Sequence, residues 1–85
     1  MKSYTVQVDK QVFKFFRKLP AKHAIQIKEA LKRMELNPRP HDSKKLVDSP
    51  GYRVTVGEYR ILYLITDETA LVEVYNIVKR NDLSY

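Results

Sequence analysis

Apolar and polar residues first alternate and then recur at helical spacing, which predicts a strand followed by two helices. The alternation covers Ser3 to Asp9 and is typical of a half-buried strand. Asp9 can cap a first helix that ends at Pro20, and a second helix is predicted from about Ala21 to Leu36. The buried stripe of the first helix is predicted to consist of Val12, Phe13, Phe16 and Leu19. We expect the three phenylalanines to anchor the core.

The second half of the chain has the patterns of β-structure. Residues 39–51 show no period and are expected to form a surface loop. Alternating or β-branched runs follow at 52–56, 59–65 and about 70–78, with turns predicted at Gly57-Glu58 and Asp67-Glu68. The sequence therefore predicts a single α+β domain over residues 1–85. Its antiparallel sheet has an N-terminal strand, a helical hairpin packed on one face, and then three antiparallel strands, in the order β-α-α-β-β-β.

A two-residue turn at Gly57-Glu58 would fix the register of the strands beside it, with Thr55 opposite Arg60. Side chains two apart on a strand share a face. One face is therefore predicted to carry Arg53, Thr55, Arg60, Glu73 and Tyr75. The other face, directed at the helices, is predicted to carry Val54, Val56, Ile61, Tyr63, Val72 and Val74. Arg80 joins the face of Arg60 only if the last strand ends early or has a bulge near residues 76–79.

Basic residues are concentrated in the first half of the chain. The 85 residues include sixteen Lys and Arg against ten Asp and Glu, and twelve of the basic but only four of the acidic residues lie at or before Lys45. Such a field attracts polyanions, whether RNA, DNA or an acidic protein segment, although a Lys-rich helix face can also serve only solubility. The chain has no cysteine and no apolar run typical of a signal peptide or membrane span. We expect a cytoplasmic protein without membrane contacts.

Two arginines on an open sheet face suit a phosphate, because a guanidinium is always charged and can bind two phosphate oxygens at once. The alternative is that Arg53 and Arg60 pair with Glu73 or Glu58 across the strands, a common surface arrangement. From spacing alone, both interpretations stay open.

The sequence lacks the residue patterns of metal sites, phosphate-binding loops and classical hydrolases. His23 and His41 have no metal-ligand spacing and are expected to be ordinary surface histidines. The carboxylates are scattered, there is no Gly-rich phosphate loop, and no serine has His and Asp partners arranged by sequence. We therefore expect no metal and no cofactor, and classical hydrolase mechanisms are disfavoured.

The segments that carry a family resemblance are Lys45-Leu46, Gly51-Tyr52-Arg53-Val54, Val56-Gly57-Glu58-Tyr59-Arg60-Ile61-Leu62-Tyr63, Val78-Lys79-Arg80 and the closing Tyr85. Together they resemble the RelE/ParE superfamily of bacterial toxin components, and its RelE branch in particular. The resemblance spans nearly the whole chain, and the KL…YRVxVGxYRxxY segment is fairly specific. The order of helices and strands agrees with the superfamily fold independently of these motifs.

The resemblance implies the toxin of a type II toxin–antitoxin system, a ribosome-dependent endoribonuclease that cuts mRNA and inhibits translation. The message's own 2′-hydroxyl would be the nucleophile. The resemblance assigns Arg60 to the scissile phosphate, Arg80 to the leaving 5′-oxygen and Tyr85 to positioning of the nucleotide. Further RNA contacts are expected from Arg53, Thr55, Lys79, Lys44 and Lys45.

This chain departs from the RelE pattern at one catalytic position. Where the pattern has a lysine assigned as general base, two residues after the first basic position, this chain has Thr55. A threonine hydroxyl cannot act as a base at neutral pH, so Tyr85, Glu58 or a ribosomal group would assist, or cleavage would depend on positioning. Two alternatives stay open: a ParE-like inhibitor of DNA gyrase, and a catalytically weak corepressor that binds its antitoxin.

The expected partners follow from the charge and from the resemblance. The basic first half favours a cognate acidic antitoxin whose amphipathic segment covers the helices and the sheet. The resemblance adds the ribosome and mRNA, and operator DNA that the toxin–antitoxin complex would bind through the antitoxin.

Overall fold

The computed structural model describes residues 3–79, which form two helices and a five-stranded sheet. In chain order the elements are β1 (Thr5–Val8), α1 (Lys10–Arg17), α2 (Ala21–Leu36), β2 (Ser43–Lys45), β3 (Tyr52–Val56), β4 (Tyr59–Thr66), a short 3₁₀ turn (Asp67–Thr69) and β5 (Leu71–Lys79). The α+β class and the predicted order of helices and strands are confirmed, and β2 is an additional strand. No helix in this part of the chain is long and apolar enough to cross a membrane.

Local signals set the ends of both helices. The Asp9 carboxylate accepts a hydrogen bond from the Gln11 N–H at 2.9 Å, as expected of an N-cap. Pro20 separates the helices and occupies the N-cap position of α2. Asn37 ends α2 in an extended conformation (φ −149°, ψ 97°), which is what a residue preceding a proline, here Pro38, prefers.

The strands are arranged in the order β1-β5-β4-β3-β2. The predicted antiparallel pairing is confirmed for β3, β4 and β5, and β2 also pairs antiparallel with β3. The expectation of an antiparallel sheet is corrected for the N-terminal strand, because β1 runs parallel to β5. A parallel pair needs a long connection, and here the two helices and strands β2 to β4 form the connection between β1 and β5. The loop predicted over residues 39–51 is corrected by β2, whose Ser-Lys-Lys sequence pairs with β3 although it has no apolar alternation.

The face of the sheet directed at the helices forms the core. Ile61 and Tyr63 of β4 are fully buried and pack with Ile27 and Met34 of α2. The Tyr63 hydroxyl donates a hydrogen bond to the Pro38 carbonyl oxygen at 2.8 Å, and burial raises the pKa of Tyr63. The prediction for this face is confirmed for Val54, Val56, Ile61, Tyr63, Val72 and Val74.

The prediction that all three phenylalanines anchor the core is wrong for two of them. Phe16 packs against the core, whereas Phe13 is 50% exposed and Phe15 is 38% exposed. Helix α1 has only eight residues and packs on the core through Val12 and Phe16, which lie one helical turn apart. This leaves the other two phenylalanines at the flanks, where the Phe15 ring meets the Tyr59 ring edge-on at a centroid distance of 6.3 Å.

A hydrogen-bonded cluster joins the α2–β2 connection to the turn between β4 and β5. Arg39 donates to the two carboxylate oxygens of Asp67 at 3.1 and 2.9 Å, and to the Tyr52 hydroxyl at 3.2 Å. The Tyr4 hydroxyl donates to the same carboxylate at 2.7 Å. The hydrogen bond from Arg39 to Asp67 raises the pKa of the Arg39 guanidinium above its ordinary value. Three side-chain hydrogen bonds therefore hold Arg39 between the α2–β2 connection and the β4–β5 turn.

Candidate nucleic-acid interface

The β3–β4 hairpin has the register that the sequence predicts. Gly57 adopts φ +58°, a left-handed conformation that glycine tolerates. Thr55 lies opposite Arg60, and Arg53 lies opposite Leu62. Directly opposed residues of an antiparallel pair share a face. The prediction that both arginines and Thr55 lie together, on the face of the sheet away from the helices, is confirmed.

Strand β2 adds a third basic residue to this face. Lys44 pairs with Arg53 and therefore lies on the same side of the sheet. We call the surface formed by Lys44, Arg53, Thr55 and Arg60 the arginine face. Its two arginines are partly buried, and its lysine and threonine are exposed. Partial burial lowers the local dielectric around the guanidinium groups, which strengthens their attraction for an anion.

Two other lysines with a predicted RNA contact lie on the opposite, helix-covered side. Lys45 pairs with Tyr52, and its Nζ lies 5.6 Å from the centre of that ring while donating to the Ser49 carbonyl oxygen at 2.7 Å. Lys79 pairs with Tyr59, whose side chain belongs to the core. The sheet therefore does not bring these two lysines together with the arginine face.

A β-bulge in β5 interrupts its pairing with β4. Leu62 pairs with Asn76, but the next residue of β4, Tyr63, pairs with Val74, so Tyr75 is the extra residue. A bulge of this kind redirects a side chain and reverses the side on which later residues lie. Beyond it, even-numbered residues of β5 lie on the arginine face.

The bulge bears directly on the prediction for Arg80. Val78 pairs with Arg60, so the strand reaches its last described residues with the parity that Arg80 requires. The bulge falls at Tyr75, one residue before the range 76–79 where a bulge was one of the two conditions for Arg80 to join the face of Arg60. Arg80 itself and Tyr85 lie outside the described residues.

Sequence reasoning gave no role to the apolar and aromatic area beside the arginine face. Leu62 is on this open face and yet only 6% exposed, whereas Tyr75 is 39% exposed. The Tyr75 hydroxyl lies beside Gly51, where an added Cβ would come within 2.7 Å of it. The signal in the sequence was the alternation of Leu62 and Leu64 on a face that is otherwise polar.

The expectation of a surface histidine is wrong for His23. Its side chain is only 19% exposed, because the first turns of α2 pack against the β3–β4 turn. Its Nε2 lies 3.6 Å from the Glu58 Oε2, and its ring meets the Tyr59 ring edge-on at 5.2 Å. Glu58 is thus directed at α2 and away from the arginine face. His41 is exposed, as expected.

The arginine face can bind and polarise a phosphate. Its guanidinium groups supply paired donors to phosphate oxygens, and the Thr55 hydroxyl adds a donor that can also accept a hydrogen bond. None of its four residues is a general base of the imidazole or carboxylate kind. Within residues 3–79, no three His, Asp or Glu side chains are grouped so that they could hold a metal ion.

Comparison with known proteins places this geometry in a family. The family model for the ParE toxin of the type II toxin–antitoxin system parDE matches residues 3–83. The protein RelE1 of Methanocaldococcus jannaschii is 28% identical over 81 residues, which cover 91% of this chain and 90% of that protein.

The solved structures that share the fold include two toxin–antitoxin complexes. The archaeal RelE–RelB complex from Pyrococcus horikoshii OT3 has a TM-score of 0.85 at 27% identity, with 93% of this chain and 97% of that chain covered. The intact E. coli RelBE toxin–antitoxin complex has a TM-score of 0.81 at 28% identity, with coverage of 94% and 100%. The sequence match, the order of the elements and these structural matches agree, and the chain belongs to the RelE/ParE superfamily of type II toxin–antitoxin toxins, with a RelE-like fold.

Proposed function

We propose that this toxin is a ribosome-dependent endoribonuclease that cuts mRNA and so inhibits translation. The arginine face carries the proposal: two arginines and a lysine lie side by side on three adjacent strands, on the open face of the sheet. The RNA backbone is a polyanion whose phosphates suit the fork geometry of arginine. A rigid sheet also holds such groups more precisely than a loop would.

The proposed reaction is a transesterification within the message. The 2′-oxygen forms a bond to the adjacent phosphorus while the bond from phosphorus to the 5′-oxygen breaks. The 2′-hydroxyl gives its proton to a base, and the leaving 5′-oxygen takes up a proton. The products carry a 2′,3′-cyclic phosphate and a 5′-hydroxyl. The sequence contains no cysteine and no serine with His and Asp partners arranged by sequence, which favours a nucleophile supplied by the substrate.

The three basic residues of the arginine face each have a role in this proposed reaction. Arg60 holds the scissile phosphate and offsets the negative charge that grows on its oxygens. Arg53 and Lys44 bind the backbone on the β2 side. The family resemblance assigns the leaving oxygen to Arg80 and the nucleotide to Tyr85. Lys45 and Lys79 are left outside this set, because they lie on the helix-covered side of the sheet.

The base that accepts the 2′-hydroxyl proton is the weakest part of the machinery in this chain. Thr55 occupies the position where the RelE pattern has a lysine. Glu58 is directed at His23 of α2, which disfavours it as the base. We propose that Tyr85 or a ribosomal group takes the proton, and that orientation of the phosphate supplies much of the rate.

We propose a cognate acidic antitoxin as the protein partner. The solved structures that resemble this toxin include complexes of RelE with RelB. The excess of basic residues in the first half of this chain favours an acidic, amphipathic segment lying over the helices and the sheet. In this proposal the complex binds operator DNA through the antitoxin, and the free toxin acts on ribosomes in the cytoplasm.

A second candidate function is inhibition of DNA gyrase. The matching family model is that of ParE, and Thr55 replaces the lysine of the RelE pattern. Primer extension on mRNA from cells pulsed with the toxin separates the two functions. We expect new 5′ ends within codons of translated messages. Intact messages together with loss of gyrase supercoiling activity would favour the ParE-like function. Intact messages together with unchanged gyrase activity would favour the corepressor.

We also propose that the chemical step needs no divalent metal ion, because the arginines supply the positive charge that a metal would otherwise contribute. Ribosomes need magnesium for their own integrity. Cleavage should therefore continue after zinc and manganese are removed selectively at constant magnesium. Restoration of a lost activity by zinc or manganese alone would contradict this part of the proposal.

A further inference from the structure

Tyr75 lies across the sheet beside the arginine face. Its backbone is in β5 and its hydroxyl is beside Gly51, the residue just before β3, and β4 runs between these strands. The ring must therefore pass over β4 on the face away from the helices. Gly51 permits this, because a Cβ there would come 2.7 Å from the hydroxyl oxygen.

The position of the Tyr75 ring results from two features, the bulge in β5 and the glycine at position 51. The bulge between Val74 and Asn76 turns the residue out of the regular pairing, and glycine at position 51 leaves room for the hydroxyl. The side chain is still 39% exposed. A ring that lies over a strand and is open to solvent offers a flat surface to a planar ligand.

The surroundings indicate which planar ligand suits this surface. Lys44, Arg53, Leu62 and Asn76 form one row of paired residues across β2, β3, β4 and β5. Tyr75 precedes Asn76 in β5, so its ring lies next to this row and therefore close to the basic residues at its other end. Single-stranded RNA is bound by this combination, in which cations hold the backbone and an adjacent aromatic ring stacks on a base. An acidic protein segment would meet the same cations, but it would not need a flat ring at their side.

A shallow cleft of about 260 Å³ adjoins the ring and supplies polar groups. Gln7, Leu64, Glu73 and Tyr75 line it together with Val8, Asp9 and Val74. Glu73 pairs with Leu64 and with Gln7, so the carboxylate and the amide lie on the same face as the ring. A carboxylate only accepts hydrogen bonds, and it therefore suits the exocyclic amino group of cytosine or adenine better than the O4 of uracil.

We infer that Tyr75 is a stacking platform for one base of the bound RNA, and that Glu73 disfavours uracil at that base. The inference rests on the proposed function, because it assumes that the arginine face binds RNA. It names a subsite that the family's catalytic residues do not include, and it predicts effects on binding that are separate from those of the charged residues.

The test is equilibrium binding of short RNA to the full-length toxin. Fluorescein-labelled 2′-O-methyl hexacytidine and hexauridine cannot be cut, and fluorescence anisotropy measures their affinity over a series of salt concentrations. The variants are Tyr75→Leu, Tyr75→Phe and Arg53→Ala. Phe13→Leu is the matched control, because Phe13 is an aromatic residue that is 50% exposed on α1.

Tyr75→Leu should bind the RNA oligonucleotides about 5- to 150-fold more weakly than the wild type, because base stacking is lost. The salt dependence of its affinity should not change. Tyr75→Phe and Phe13→Leu should bind within about twofold of the wild type. Arg53→Ala should instead reduce the slope of log affinity against log salt by about 0.7, the value for one phosphate contact on a single strand.

Three outcomes would overturn the inference, and they are distinguishable. Unchanged affinity in Tyr75→Leu, with weaker binding by Arg53→Ala, would reject the stacking subsite and leave the proposed function standing. Unchanged RNA affinity with weaker antitoxin binding in Tyr75→Leu would make the ring a protein contact. No saturable RNA binding by the wild type would reject the subsite, whereas RNA binding by the arginine face on the ribosome is tested separately by primer extension.

The contribution of Glu73 is tested by the ratio of the two affinities. The wild type should prefer hexacytidine by at least about fivefold, and Glu73→Gln should reduce this ratio, because an amide can donate to the uracil O4. Both oligonucleotides are pyrimidines with the same backbone, so differences in charge cancel. An unchanged ratio in Glu73→Gln would show that this carboxylate does not contact the base.

Discussion

Replacement of Thr55 by lysine tests whether the missing base limits cleavage. Thr55 is exposed and lies directly opposite Arg60, with Arg53 two residues away on the same strand. A new ammonium there would lie near both guanidinium groups, which lower its pKa because they disfavour a third positive charge. A lower pKa favours the neutral amine, which can accept the proton of the 2′-hydroxyl.

The expected magnitudes follow from this position. Like charges on cross-strand neighbours destabilise a sheet by about 0.2–1 kcal/mol, so Thr55→Lys should lower the melting temperature by no more than about 4–8 °C. Cleavage should become about 10²-fold faster, the lower end of what a positioned general base contributes.

The assay for Thr55→Lys is single-turnover primer extension on programmed ribosomes. Thr5→Lys is the matched control: Thr5 is also an exposed threonine of the same sheet face, but it lies on β1 and pairs with Leu71. The control has the same net charge and should cleave at the wild-type rate. If Thr55→Lys is folded and cleaves no faster than the control, the reasoning about the missing base is refuted.

Three further predictions concern the site, the partner and the core. Arg60→Ala and Arg80→Ala should each reduce cleavage by about 10²–10³-fold, as expected for loss of a group that stabilises transition-state charge, while Arg17→Ala on α1 should not. All three variants should remain folded and bind the antitoxin; unfolding of the first two, seen by circular dichroism, would make those arginines structural. Association with the antitoxin, followed by stopped flow, should slow markedly with added salt, and a salt-independent rate would contradict the electrostatic part of the account. Tyr63→Phe should destabilise the fold by about 1–3 kcal/mol in chemical denaturation, because it leaves the buried Pro38 carbonyl oxygen without its donor, and an unchanged midpoint would contradict this.

Periodicity was sufficient to predict most of the fold, because most elements have a buried face. The alternation in β3 and β4 and the Gly57-Glu58 turn gave the register that places Thr55 opposite Arg60. The parallel pairing of β1 with β5 could not be predicted in this way, since local pattern does not specify a distant partner. Strand β2 was missed because it is a short edge strand with a polar sequence.

The candidate site was predictable where it depends on strand parity and unpredictable where parity breaks. Arg53 and Arg60 share a face as expected. Lys45 was assigned to the RNA from the family motif, but β2 turns it to the side of Tyr52, while Lys44 joins the arginines. The bulge at Tyr75 has no glycine in β5 to mark it; its trace in the sequence is the break in alternation between the buried Val74 and Ile77, and the pairing with β4 shows its position.

The central claim is that the message itself supplies the attacking oxygen while arginines hold the phosphate. The most direct measurement uses a ribosome-bound message with a single 2′-deoxy sugar immediately 5′ of the scissile phosphate. The account predicts that the toxin binds this complex normally and fails to cut it. The unmodified message should give a 2′,3′-cyclic or 3′-phosphate and a 5′-hydroxyl. Cleavage of the deoxy message at an undiminished rate, or a 5′-phosphate on the downstream fragment, would contradict the account, because water would then be the nucleophile.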